Sequence, residues 1–297
     1  LIHFTLRQIE YFMAAVEHRG ALAAAKAMNV SQPSISHAIG ELEALWCERL
    51  FTRVPSRGLE LTAAGKRRYK EARELMQRAA QLGARDTGSV VGDLSVGCFA
   101  TLGARHLPPI IRHFQNHYPD VRLTIQEGDT EELVEEVERG TLDLALIYDM
   151  DLARQVTLHA VGEQSPYALL PEGHRLAKQT AVSIRELTVE PFFLLDMPHS
   201  RDYFLSLFRL AGVSPSVALE LRSVEMIRSL VANGHGISIL VTRPVGDTSY
   251  DGRPIVCRPL DSTIPAQRVV VAAPQTTQLP RPAAAFLEVM RDRFMKS

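Results

Sequence analysis

The chain has 297 residues, 46% of them hydrophobic, and a formal net charge of −1. That length and apolar content fit a globular protein of two or three domains, each able to bury a core, and exclude a disordered chain. No apolar run approaches a membrane span and no basic leader precedes an apolar segment, so the expectation is a cytoplasmic protein without membrane contact.

Near-neutrality hides a division. Residues 1–88 carry 13 Lys and Arg against 9 Asp and Glu, whereas residues 89–297 carry 20 against 25. A basic front end before an acidic remainder is expected when only the front meets nucleic acid. The three cysteines, Cys47, Cys98 and Cys257, are widely spaced and odd in number, which fits reduced thiols rather than a disulfide framework or a paired-cysteine metal site.

In chain order, Leu6, Ile9, Phe12, Met13 and Val16 trace an amphipathic helix closed by Gly20. Ala23, Ala24, Ala25 and Ala27 make a second helix small enough to pack closely on it. The chain breaks at Met28-Asn29-Val30, where asparagine tolerates a left-handed backbone, and Ser31 caps a third helix with Pro33 in its first turn. Ile35, Ile39 and Leu42 recur at helical spacing, leaving Gln32, Pro33, Ser34, Ser36 and His37 near the N-terminus on other faces. In a helix-turn-helix that end enters the major groove, so these five residues are expected to meet DNA, with Gln32, Ser34, Ser36 and His37 reading base edges. An ordinary helical hairpin with a solvated polar face has the same bare pattern. Next, the turn Pro55-Ser56-Arg57-Gly58 separates two short segments able to pair as a wing, with Arg53 and Arg57 suited to phosphates or the minor groove.

Residues 4–65 resemble the winged helix-turn-helix of the LysR-type transcriptional regulators. The resemblance rests on Val30-Ser-Gln-Pro-Ser-Ile-Ser36, Ile39, Leu42-Glu43, Leu50-Phe51, Arg53, Arg57-Gly58 and Leu61-Thr-Ala-Ala-Gly65, in that family's order and spacing. Two departures stand out: Trp46-Cys47 replaces the usual aliphatic-glycine end of the recognition helix, and His37 stands where arginine is frequent.

Thr62 caps a helix running to about Leu82, in which Tyr69, Ala72, Met76, Ala79 and Gly83 form the seam of a two-helix coil. Dimerisation is the natural use, and packing on the chain's own globular body the alternative. The resemblance implies a linker helix pairing antiparallel with a partner's. Gly83 to Gly92 forms a flexible joint.

From Asp93, short β-branched runs alternate with amphipathic helices, a pattern that predicts a parallel sheet with crossover helices. Strands are expected at 94–99, 121–126, 142–148, 167–170, 192–195, 217–221 and 237–241, and helices at about 105–117, 130–139, 200–211 and 223–233. Leu107-Pro-Pro-Ile-Ile, Gly140-Thr-Leu-Asp-Leu-Ala-Leu-Ile147 and Leu170-Pro-Glu-Gly-His174 are similar to the family's effector-binding domain, itself like a periplasmic solute-binding protein. The expected architecture is a winged helix-turn-helix over 1–60, a linker helix over 61–88 and an α/β effector domain of two Rossmann-like lobes over 89–297. The resemblance implies that lobe I takes 89–162 and 266–297 and lobe II takes 163–265.

Ligands of open α/β sheets bind beyond the carboxyl ends of strands, at helix N-termini. This rule singles out Phe99, Ala100 and Thr101, then Asp129 and Thr130, and across the cleft His199, Ser200 and Arg201 as effector-binding residues. Each hydroxyl has a bland alternative as a helix cap, and Arg201 as a solvated ion pair. Hydroxyls, helix ends and an arginine together suit a carboxylate or aromatic acid.

Other chemistry is weak. His113 and His117 lack a third metal ligand in sequence, the glutamates from Glu131 to Glu138 read as a solvated helix face, and no Walker loop or Gly-x-Ser-x-Gly elbow occurs. No cofactor, metal or enzymatic activity is expected. The resemblance implies a homodimer or homotetramer on a pseudo-palindromic operator in double-stranded DNA, a small-molecule effector, and contact with RNA polymerase if the protein activates. The competing readings are a thiol-based redox sensor on the same scaffold, using Cys98, and a solute-binding protein, which the DNA-binding front end disfavours.

Overall fold

A computed structural model describes residues 3–54, 58–83, 90–150, 155–261, 264–275 and 278–295. Thr5 and Gln8 form a capping box that opens α1 (Leu6–Glu17), and α2 (Ala21–Ala27) and α3 (Gln32–Trp46) follow. Asn29 supplies the break between α2 and α3 at φ 54°, and the Ser31 hydroxyl accepts the Ser34 N–H at 3.3 Å. Ala14, Ala15, Ala24 and Ala25 pack with Ile35 and Ile39, because methyl-sized side chains let the three helices approach closely. The Trp46-Cys47 departure is accommodated without glycine: Cys47 takes the left-handed C-cap at φ 53°. Trp46 packs edge-on to Phe4 at 6.1 Å and beneath the Arg68 guanidinium at 4.8 Å.

The wing is the antiparallel hairpin of β1 (Phe51–Val54) and β2 (Gly58–Leu61). In α4 (Ala63–Gly83) the expected intersubunit seam divides. Tyr69 and Ala72 are buried in a core with Ile9, Phe12, Leu42 and Leu50, because three short helices alone leave Phe12 and Leu42 without a fourth wall. Of the other seam residues, Met76 is half-buried against this same core and Ala79 is half-buried, while Leu75 and Leu82, which are not on the seam, are exposed.

The chain continues through β3 (Gly92–Phe99), α5 (Ala100–His117), β4 (Val121–Gly128), α6 (Thr130–Arg139), β5 (Leu144–Tyr148), β6 (Val156–Gln164) and β7 (Tyr167–Pro171). Then come β8 (Pro191–Leu195), α7 (Ser200–Leu210), β9 (Ser216–Leu221), α8 (Val224–Ala232), β10 (Ser238–Leu240), β11 (Ile255–Pro259), β12 (Gln267–Pro274) and α9 (Arg281–Met295). The first lobe's sheet has the order β4-β3-β5-β12-β6. β3 pairs in parallel with β4 and β5; β12 returns from the other lobe and runs antiparallel to β5 and β6, the one strand against the direction of the other four, so the sheet is mixed rather than parallel. In the second lobe β7 lies between β10 and β11, antiparallel to both, while β8 and β9 pair in parallel and a bridge from Phe192 to Ile237 joins the two groups.

Two further differences from the sequence reading bear on the cleft. Helix α5 begins directly after β3 at Ala100, not near 105, which sets its N-terminus at the strand end. Strand β6 stays in the first lobe's sheet to Gln164, so the outward crossing, expected near residue 162, falls after Gln164. The core runs through both lobes, with Val96, Leu144, Val271 and Phe286 at or near zero exposure in one and Leu169, Phe192, Phe208 and Ile239 in the other. Burial of such side chains contributes roughly 1.5–3 kcal/mol each.

Candidate functional site

Two regions gather the residues expected to act. On α3, Gln32, Pro33, Ser34, Ser36 and His37 are all exposed, while Ile35, Ala38, Ile39 and Leu42 turn inward. Ser34 also bonds the cap, its hydroxyl 2.8 Å from that of Ser31, and His37 Nε2 lies 3.2 Å from Glu41 Oε1. Arg53 lies on β1 opposite Leu59, and Arg57 falls outside the described residues. Polar groups of both hydrogen-bonding senses at the start of an exposed helix can meet base edges.

Between the lobes lies a pocket walled on one side by Phe99, Thr101, Tyr148, Met150 and Gln267. Leu195, Ser200, Tyr203, Phe204, Val224, Leu240, Val241 and Thr242 wall the other. Its free volume is about 30 Å³, room for one or two waters, so a ring-bearing ligand must move side chains or part the lobes. Phe99 and Tyr148, the last residues of the paired strands β3 and β5, stand edge to face at 5.5 Å.

A hydrogen-bond chain leads out of the pocket, and its polarity can be worked out. Thr242 Oγ1 donates to Gln164 Oε1 at 2.9 Å, which leaves the Gln164 amide nitrogen to donate to His106 Nε2 at 2.9 Å. With its proton so committed, Thr242 accepts from the Tyr148 hydroxyl. Burial pushes His106 down to about 4 and Tyr148 up to about 12, so both are neutral. The Tyr203 hydroxyl is buried with no hydrogen-bond partner among the described residues. A phenol left so costs about 1–3 kcal/mol, which a bound acceptor would recover.

Of the expected effector residues, the structure brings Phe99, Thr101 and Ser200 together in the pocket walls. It places the others elsewhere. Ala100 starts α5, whose N-cap Phe99 offers no side-chain cap, so the first-turn N–H groups lack one. Asp129 caps α6, accepting the Glu132 N–H at 2.9 Å, and Thr130 is 1% exposed. His199 takes φ 61° at the start of α7, with Nε2 3.6 Å from Glu131 of the first lobe. Arg201 pairs with Glu220 at 2.9 Å, the solvated-pair alternative. Among the described residues the pocket wall therefore carries no Lys, Arg or His. Tyr148 escaped the sequence reading although it ends a strand as Phe99 does; Tyr203 and Thr242 have no local signal.

Cys98 is 1% exposed beneath α5, where a Cβ on Gly103 would lie 2.5 Å from its sulfur. Burial pushes the thiol up to about 11, which keeps it protonated and a poor nucleophile. No group of three His, Cys, Asp or Glu among the described residues is placed to hold a metal ion.

Residues 87–295 match the family model described as LysR substrate binding domain, and residues 6–66 match Bacterial regulatory helix-turn-helix protein, lysR family. The crystal structure of HinK, a LysR family transcriptional regulator from Pseudomonas aeruginosa, is similar at TM-score 0.67 and 37% identity, over 99% of this chain and 100% of that one. The HTH-type transcriptional regulator YnfL of Escherichia coli is 32% identical over 80% of this chain and 82% of its own. The hydrogen peroxide-inducible genes activator of Escherichia coli O157:H7 is 28% identical over 79% of this chain and 78% of its own.

Proposed function

This chain belongs to the LysR family of transcriptional regulators, and from that premise we propose that it holds DNA through α3 and the wing and is controlled by a small aromatic acid bound between its lobes. It is a regulator and not an enzyme. Gln32, Ser34, Ser36 and His37, with Pro33 shaping the turn, read the operator, while Arg53 and Arg57 meet phosphates. Two or four copies hold a pseudo-palindromic site, and an activating complex touches RNA polymerase. No described helix is long and apolar enough to cross a membrane, and the protein acts in the cytoplasm, where its DNA lies.

The observation that carries the ligand class is the pocket wall. Phe99, Tyr148, Tyr203 and Phe204 surround the ring, and the uncapped first turn of α5 beside Thr101 takes the carboxylate. Without a cation in the wall, the N–H dipoles and hydroxyls carry the charge. The redox alternative draws on one relative's name, but the buried, protonated Cys98 does not favour it.

A thermal-shift comparison of benzoate and phenylacetate with the corresponding amides tests this reading. The acids are expected to raise the melting temperature and the amides not, since only a ligand that prefers the folded state stabilises it. Thr101→Val should cut the shift by removing one hydroxyl worth about 0.5–1.5 kcal/mol. Equal shifts for acids and amides would refute the carboxylate, and no shift from either would refute the aromatic acid.

A further inference from the structure

The strongest polar contact between helix α4 and the first lobe is made by Arg73. Its Nη2 lies 2.9 Å from both Asp143 oxygens and 3.1 Å from Ser95 Oγ, and its Nη1 donates to the Gly140 carbonyl. The two side chains are only 13% and 10% exposed. Asp143 Oδ2 also receives the Ser95 N–H at 2.7 Å and hydroxyl at 2.8 Å, so the two side-chain partners of the guanidinium hold one another. The approach is close: Gly140 has φ +74°, and a Cβ there would sit 3.1 Å from Lys70 Cγ and 3.4 Å from Lys70 Cα.

Both sides of this knot lead somewhere. Ser95 lies on β3, four residues before Phe99, and Asp143 immediately precedes β5, which ends at Tyr148. These strands are paired, Val96 to Leu144 and Cys98 to Leu146, and at about 3.3 Å per residue span roughly 13–17 Å between knot and pocket. On the helix side, Tyr69 lies one turn before Arg73 and is buried with Phe12 of α1 and Leu42 of α3.

We propose that Arg73 is the positioning residue through which the inter-lobe pocket acts on the DNA-binding unit, two strands carrying the pocket's state to Ser95 and Asp143 and the guanidinium passing it to α4. The proposal rests on that pocket being the effector site. A simple staple would hold α4 on the lobe whatever occupies the pocket; a relay makes the two ends interdependent, and that difference is measurable.

Thr101→Leu places an apolar side chain in the pocket and serves as the probe, with hydrogen exchange on the full chain as the readout. In the otherwise native protein it should change exchange at least threefold both at the 97–101 and 146–150 strand ends and in the 63–76 helix. With Arg73→Ala or Asp143→Asn added, the change should persist at the strand ends and vanish from 63–76. Arg73→Lys, which keeps the charge without the planar fork, should restore part of it and serves if the alanine variant does not fold. The relay is overturned if 63–76 responds to Thr101→Leu equally with and without Arg73, or responds in neither. A probe that alters neither end removes the pocket reading and the relay with it, and that outcome is distinct from a response confined to the strand ends.

Discussion

Gln32 stands exposed at the first position of α3, behind a cap that Ser31 and Ser34 make without it. Gln32→Ala is therefore expected to leave stability unchanged while weakening binding to an operator selected from random duplexes by about 1–3 kcal/mol. Binding to a scrambled duplex should hardly change. Equal loss on both duplexes, read by fluorescence anisotropy at fixed salt, would show that Gln32 does not read bases. Ser34→Ala is a less clean probe because its hydroxyl also bonds the cap. The same ambiguity limited the sequence reading of the cleft. A hydroxyl or carboxylate before a helix marks a cap and a ligand contact alike, and of Thr101 and Asp129 the structure leaves the first at the pocket and makes the second a cap. Arg201 looked like an anion partner until the fold brought Glu220 from β9 beside it, a pairing 19 residues apart that no local pattern displays.

Among the elements, those with strong periodicity were legible. The helix at 130–139 was read to the residue, because Asp129 caps its start and Gly140 closes it at φ 74°. Strand β12 was not read, nor its direction: Val269, Val270 and Val271 are all fully buried between two neighbours, so the run carries no alternation to mark a face, and its antiparallel entry depends on where the chain re-enters the lobe. Strand β6 failed for the opposite reason, being largely exposed at the sheet edge. The α4 junction lends itself to a direct test. A Cβ on Gly65 would lie 2.1 Å from the Leu50 carbonyl oxygen and 2.9 Å from Leu61 Cδ2, and the backbone oxygen cannot turn aside as a side chain would. Gly65→Ala is thus expected to destabilise the DNA-binding unit by about 1–3 kcal/mol through forced separation of α4 from the backbone at Leu50, just before β1. Chemical denaturation followed by Trp46 fluorescence, the chain's single tryptophan, would report it. An unchanged midpoint would mean that this contact is not as close as described.

The whole molecule joins a basic reader to an acidic sensor through one helix, and the cores of the two parts are separate. Ile9, Phe12, Leu42, Leu50, Tyr69 and Ala72 form one, while the lobes share another that includes none of these. The division was visible in the charge balance, but the Arg73 contact was not, since 70 residues separate it from Asp143. Removal of residues 1–88 should therefore leave a fragment that folds, because the lobes keep their entire hydrophobic core, and that no longer binds DNA. It also deprives Asp143 of its guanidinium while leaving it the Ser95 N–H and hydroxyl. A buried carboxylate is costly once its cation is removed, and hydrogen bonds to neutral groups offset only part of that cost. The fragment should accordingly melt below the effector domain within the full chain, and Asp143→Asn should narrow that gap by removing a charge that has lost the Arg73 guanidinium. Calorimetry of the full chain, the fragment and the fragment with Asp143→Asn would decide it. A fragment as stable as the intact domain, and indifferent to the substitution, would show that Arg73 contributes nothing to how the lobe is held.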